Sequence, residues 1–169
     1  ANRIDQPMRI LLAGPGWDDP ARAGMHLHDA RLGIGGRVQL RVVPDYLDSG
    51  HRKTLVAATD LAAFPYQPHP SFQGSGAIAD YLAGGVPVLA TAVANMAELI
   101  ADAGAVVLPR DPDALADHLC RLTGMNGSTE RARAAASRRA GLFTAEHHAR
   151  QCAALYEQAI AHARVEVRR

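Results

Sequence analysis

The run Gln73-Gly74-Ser75-Gly76-Ala77-Ile78-Ala79-Asp80 combines the residue types needed to hold an anionic, hydroxyl-bearing ligand. Ser75 is a good helix N-cap, and Gly76 lets a ligand approach the backbone. The amides of the first turn, with the helix dipole behind them, favour a phosphate. Asp80 would repel phosphate at contact distance, but one turn along it can accept bonds from pentose hydroxyls, as acidic residues do in dinucleotide folds. A plain surface helix could also begin Ser-Gly and carry an early Asp, which the dipole stabilises by about 0.3–1 kcal/mol. The residues after the helix favour the ligand reading: Gly84-Gly85 ends it, and Val86-Pro87-Val88-Leu89-Ala90 restarts as an inner parallel strand.

The elements that must position these groups alternate along the chain. Arg9–Ala13 reads as a buried strand closed by Gly14-Pro15-Gly16, Pro20–Leu32 as a crossover helix, and Arg37–Val42, entered through Gly35-Gly36, as the next strand. Ser49–Ala58 is a helix, Asp60–Phe64 a strand stopped by Pro65, and Tyr66–Gln73 a loop rich in proline and histidine. Beyond the Pro87–Ala90 strand come a short helix over Asn95–Ala101, a strand over Gly104–Leu108, and a helix from Asp111 with Pro112 in its first turn. Ser128–Ala163 is helical with a break at Gly141-Leu142-Phe143-Thr144, where Thr144 can cap the last segment. This alternation predicts an α/β fold, a Rossmann-like parallel sheet with helices on both faces and ligands at the carboxyl ends of its strands.

A chain of 169 residues, 48% hydrophobic, can bury one sizeable core, so one domain is expected. Its span is drawn as a lead segment 1–7, the sheet domain 8–145, and a C-terminal helix and tail 146–169. Lys and Arg total 18 against 17 for Asp and Glu, with the basic residues scattered and aromatics scarce, which excludes a nucleic-acid stripe. No apolar stretch is long enough to cross a bilayer, and the N-terminus lacks a signal-peptide core, so the expected location is the cytoplasm. Cys120 and Cys152 show no CxxC or metal spacing and read as packed thiols. Eight histidines raise the question of a metal. His26 and His28, spaced i, i+2, fall on different helix faces, so no metal site is expected, and His69 is kept as a ligand contact. Gly74-Ser75-Gly76 is not a G-x-S-x-G nucleophile turn, because Ser75 caps a helix after a long loop.

The order of these motifs resembles the C-terminal, donor-binding half of GT-B-fold retaining glycosyltransferases, the family 4-like "glycosyl transferases group 1". The similarity runs from Arg9 to about Ala161. Its marks are the GxG turn, the strand Asp60-Leu61-Ala62-Ala63-Phe64-Pro65-Tyr66, the helix with Asp80, the Gly85-Val86-Pro87-Val88 strand and a closing Phe143-Thr144-Ala145…Tyr156. Ala145 stands where the family usually has tryptophan. The resemblance implies a nucleotide-diphosphate sugar as donor, transfer of a hexosyl group with retention in the intact enzyme, no metal and no other cofactor. Ser75, Gly76 and Ala77 would hold the diphosphate and Asp80 the ribose. Tyr46 and Leu47 would flank the base, with Gly14 and Gly16 lining the cleft. Tyr46 could equally anchor its loop, and the glycines could serve the turn alone. Glu98 also matches a family position, implying that it orients the loop over the donor.

The departures bear on activity. Many members have a glutamate contacting the donor sugar where this sequence has Phe72-Gln73, although a subset carries a Q-x-S-G arrangement like Gln73-Gly74-Ser75-Gly76. An amide can bond sugar hydroxyls but cannot stabilise positive charge developing on the sugar, so Gln73 is expected as a sugar contact and no residue is assigned a catalytic role. The family's first strand–helix unit, whose Arg and Lys neutralise the departing diphosphate, does not precede Met8, and an amino-terminal acceptor domain is also expected elsewhere. The chain alone is therefore expected to be nearly inactive, as a fragment or as one part of a split enzyme whose other part is the acceptor domain or a partner chain. Peripheral membrane association of the whole enzyme is implied as well. Two rivals are a GT-B-like sugar epimerase, whose acids and histidine are not found, and a non-catalytic partner or scaffold subunit.

Overall fold

The computed structural model describes residues 7–14, 38–43, 46–70, 74–124 and 127–166. The expected Pro20–Leu32 helix, the Gly35-Gly36 turn, Gly16, His26, His28, Phe72 and Gln73 lie outside the described residues. The chain divides into two compact units, Ala1–Ala58 and Thr59–Arg169, a boundary that falls inside the 8–145 span drawn from the sequence.

In the first unit, β1 (Met8–Ala13) pairs in parallel with β2 (Val38–Val43), in register from Met8↔Val38 to Ala13↔Val43. Alternate exposure along β1, with Arg9 and Leu11 facing out, marks a strand covered on one face. Helix α1 (Ser49–Ala57) is capped by Asp48, whose carboxylate accepts the His51 amide at 2.8 Å.

The second unit holds a three-stranded parallel sheet, β3 (Ala62–Phe64), β4 (Val88–Thr91) and β5 (Gly104–Val107), in the order β3-β4-β5. Its helices are α2 (Gly76–Ala83), α3 (Met96–Ile100), α4 (Pro112–Thr123), α5 (Gly127–Arg139) and α6 (Ala145–Glu166), with a 3₁₀ turn over Ala140–Phe143 before α6. Every residue of β4 is buried, the mark of an inner strand covered on both faces and the reason Val88-Leu89-Ala90 reads as unbroken apolar sequence. Leu89 joins Val107, Leu122 of α4 and Ala132 of α5 in one cluster, while Ile78 and Leu82 of α2 and Met96 and Ile100 of α3 are also fully enclosed. Small alanines at 132, 135 and 136 are buried on α5, which allows close helix packing.

Element edges shift by a residue or two for physical reasons. Asp60 does not join β3; its exposed carboxylate meets Arg133 of α5 instead. Pro87 has no amide to donate, so β4 starts at Val88, although the Pro87 carbonyl still accepts the Ala62 amide at 3.0 Å. Thr144 caps α6 as expected, its hydroxyl accepting the His147 amide at 3.1 Å. Gly85 ends α2 with φ of 71°, its amide reaching the Leu82 carbonyl at 3.0 Å and that of Val86 reaching Tyr81 at 2.9 Å, a Schellman pair. Gly104 is required by proximity, since a Cβ there would sit 1.7 Å from the Val88 carbonyl oxygen. Both cysteines are free and half-buried.

Along α6, Leu155, Tyr156 and Ile160 remain 63%, 70% and 53% exposed. The stripe drawn from Ala149, Cys152, Ala153, Tyr156 and Ile160 is therefore largely open in this chain, with Cys152 half-buried. Among the described residues no helix is long and apolar enough to cross a membrane.

Candidate functional site

Because β3, β4 and β5 run parallel, their carboxyl ends share one edge, and the amino end of α2 meets that edge. Ser75 is held there from two sides: its hydroxyl accepts the Ile78 amide at 3.2 Å and lies 2.9 Å from the Tyr66 hydroxyl. Tyr66 follows β3, and its carbonyl accepts the Thr91 hydroxyl, at the end of β4, at 2.6 Å. A chain of hydrogen bonds thus ties the cap of α2 to the last residue of the inner strand. Thr91, the buried polar residue of the core, gains its partner in this way.

The first amides of a helix have no intrahelical acceptor. That of Ile78 goes to Ser75, which leaves Gly76 and Ala77, both exposed, at the open end. A Cβ built at Gly76 meets no atom within 4 Å, so space continues away from the backbone there. The first turn of α2 carries no acidic residue, so nothing on the helix itself opposes an anion at that end. Asp80 follows one turn later on the exposed side. Under it, Phe64 stacks on Tyr66 with ring centroids 5.7 Å apart and meets Tyr81 edge-on at 5.7 Å. Burial pushes the Tyr81 phenol above its ordinary value; a hydrogen bond with Thr59 acts the other way, and the charge of Asp80 adds to the rise. Tyr81 thus serves as a neutral, packed support for the helix that carries Asp80.

Sequence reasoning did not single out Tyr66 or Thr91 as parts of this arrangement. A polar residue closing an apolar inner strand was the available signal for Thr91. Asn95 was missed as well: any side chain at Gly74 would begin 3.7 Å from its Oδ1. Glu98 is exposed on α3, and His69 is exposed in the loop that follows Pro65. Arg110, in the turn after β5, brings a cation to the same edge with φ of 62°.

Three of the other expected residues, Gly14, Tyr46 and Leu47, belong to the first unit. Gly14 has φ of 127° and donates its amide to Val43 at 3.0 Å, so the turn itself demands glycine. Tyr46 is 86% exposed and Leu47 is partly buried, just before the Asp48 cap of α1. Gly16 and Gln73 lie outside the described residues. Among the described residues no group of three or more His, Cys, Asp or Glu side chains could hold a metal ion.

Comparison with known proteins bears on this arrangement. The family model for glycosyl transferases group 1 matches residues 1–124. The chain belongs to that family. This group 1 glycosyltransferase chain is similar to sucrose-phosphate synthase from Thermosynechococcus elongatus, with a TM-score of 0.67 and 20% identity over 93% of this chain and 46% of that one. It is also similar to HepE of Anabaena in complex with UDP and glucose, with a TM-score of 0.55 and 22% identity over 85% of this chain and 40% of that one. HepE in complex with UDP-glucose gives a TM-score of 0.54. At these identities the likeness shows the fold, and the α/β class and family resemblance read from the sequence both hold. The chain spans about half the length, 46%, of the sucrose-phosphate synthase it resembles. Comparison with curated protein sequences gives no match.

Proposed function

We propose that this group 1 glycosyltransferase chain binds the diphosphate of a nucleotide sugar at the Gly76 and Ala77 amides, with Asp80 accepting from the ribose hydroxyls. In the complete enzyme the sugar's C1–O bond to the diphosphate breaks with its electron pair on the phosphate oxygen. The acceptor hydroxyl oxygen bonds C1 on the same face while its proton passes to the departing phosphate oxygen, so configuration is retained, and the transferred group is a hexosyl unit. The α2 end favours the charge gathering on the departing diphosphate through fixed amides and the dipole, without calling on a metal. On the family resemblance, Gln73 is assigned to the donor sugar, Tyr46 and Leu47 to the base, and Gly14 and Gly16 to the cleft. An acceptor-binding part completes the enzyme, which works in the cytoplasm and associates peripherally with a membrane.

The observation that carries this reading is the open end of α2, pinned at the carboxyl edge of β3 and β4 through Ser75, Tyr66 and Thr91. The UDP and UDP-glucose complexes of HepE support it by analogy of fold. Calorimetric titration of the chain with UDP, GDP and ADP tests it. One nucleotide should bind, and Asp80→Ala should weaken that binding about tenfold, or ~1.4 kcal/mol, by removing a charged hydrogen-bond acceptor. Absence of binding, even with the complementary part of the fold supplied, would instead support a scaffold subunit.

A further inference from the structure

A surface cleft opens at the opposite edge of the same sheet. Gly104 opens β5 and Asp102 precedes it, and with α4 and α5 they bound an open surface cleft of about 440 Å³. Parallel strands put this amino-terminal edge across the sheet from the α2 end, so the cleft is separate from the donor site proposed above and does not depend on that reading.

The charge in the cleft is one-sided. Arg121, Arg131 and Arg138 line it against a single acid, Asp102. Ser128, Arg131, Ala135 and Arg138 are spaced three or four apart and form one stripe of α5, and positions 131 and 138 are separated by about 10 Å of helix axis. Between them the alanines at 134 and 135 leave room that larger side chains would fill. Arg121 enters from the last turn of α4. Two of these guanidiniums meet uncharged groups: Arg131 donates to the Ser128 hydroxyl at 3.2 Å, and Arg121 meets the His118 ring. Burial first, then the charge of Arg121, holds the His118 pKa below its ordinary value against the opposing charge of Asp117, which favours the neutral ring. Arg138 reaches Asp102 at 3.4 Å, but both side chains are mostly exposed, so a ligand displaces that pair at little cost.

We propose that this cleft binds a small phosphate-bearing anion through Arg121, Arg131 and Arg138. Guanidinium forks match phosphate oxygens in pairs, and arginines converging from two helices on a floor of small residues suit a compact di- or polyanion. Asp102 and Ser128 can take the hydroxyls such a molecule carries. The source is either a soluble phosphorylated compound or the headgroup of an anionic lipid.

The test titrates the whole chain with pyrophosphate by calorimetry at low salt and maps the site from backbone amide shifts. Shift changes over Ser128–Arg138 and at Gly104 are expected, with affinity falling as salt rises. Arg131→Gln with Arg138→Gln should weaken binding read from the Ser128–Arg138 shifts at least tenfold, as should Ala134→Glu, which sets a carboxylate in the cleft; any pyrophosphate at the α2 end is read apart from it, in the Gly76 and Ala77 amide shifts, which these variants should leave unchanged. Circular dichroism checks that each variant is folded, and Ala134→Glu keeps the test open if the double variant fails to fold. Co-sedimentation with phosphatidylglycerol but not phosphatidylcholine vesicles, lost in the same variants, assigns the headgroup as the source; pyrophosphate binding without vesicle binding assigns a soluble one. Shifts confined to the α2 end, or folded cleft variants whose Ser128–Arg138 shifts titrate with pyrophosphate as the parent's do, would overturn the proposal.

Discussion

The smallest scale at which function is decided here is one hydroxyl. Ser75 satisfies the Ile78 amide, and Tyr66 fixes Ser75 from the other side. Tyr66→Phe keeps the ring stacked on Phe64 but removes that second bond, so stability should fall by about 1 kcal/mol and nucleotide affinity several-fold. Denaturant melts and calorimetry on the same preparation read both. Ser75→Ala should cost about 1 kcal/mol and Ser75→Gly only a few tenths, since glycine tolerates the capping backbone. The sequence made the cap legible because Ser-Gly before an apolar helical run has one local meaning. It concealed Tyr66, whose partner is nine positions away and meets it only because α2 folds back over the end of β3. The base-flanking role proposed for Tyr46 rests on family resemblance alone, since its exposed side chain gives no chemical signature of its own.

At the scale of elements, close approach and backbone conformation set the tolerances. β4 and β5 come together at Gly104 so tightly that Gly104→Ala must push the strands apart, at a cost of about 1–3 kcal/mol or more, which a thermal melt will register. The turn after α3 works the other way. Ala101 adopts φ of 46° and ψ of −120°, and the Ala103 amide bonds the Ile100 carbonyl at 2.9 Å, a II′ turn with alanine where glycine is favoured. Ala101→Gly should therefore stabilise the chain by roughly 1 kcal/mol, a relief that the same melts would detect. Helix α1 carries a pH-dependent cap. The His51 amide holds the Asp48 carboxylate below its ordinary 3.8, so the cap is present above that value and is lost as pH falls through the lower folded one. An NMR titration of Asp48 should show that depressed pKa. Strands and helices were legible because their apolar runs and punctuation agree. Their edges were less so, because Asp60 found Arg133 and Pro87 lacked an amide, neither of which is a property of the strand alone.

The largest scale concerns how much of a similar enzyme this chain spans. It spans 46% of the length of the sucrose-phosphate synthase it resembles, and its last helix leaves Leu155, Tyr156 and Ile160 in water. Leu155→Glu should change the stability of this chain by no more than about 0.5 kcal/mol, because Leu155 is already mostly exposed. If the complementary part of the enzyme covers that stripe, the same substitution should weaken its association. Pull-down of the wild-type and mutant chains side by side distinguishes the cases. The wet face of α6 also has a consequence for how the molecule breathes. A helix that gains so little from tertiary packing must rely on its own hydrogen bonds, which are marginal in water. Its amides should exchange with deuterium well before those of β4, so the chain loses its carboxyl-terminal rod while its inner strand is still intact.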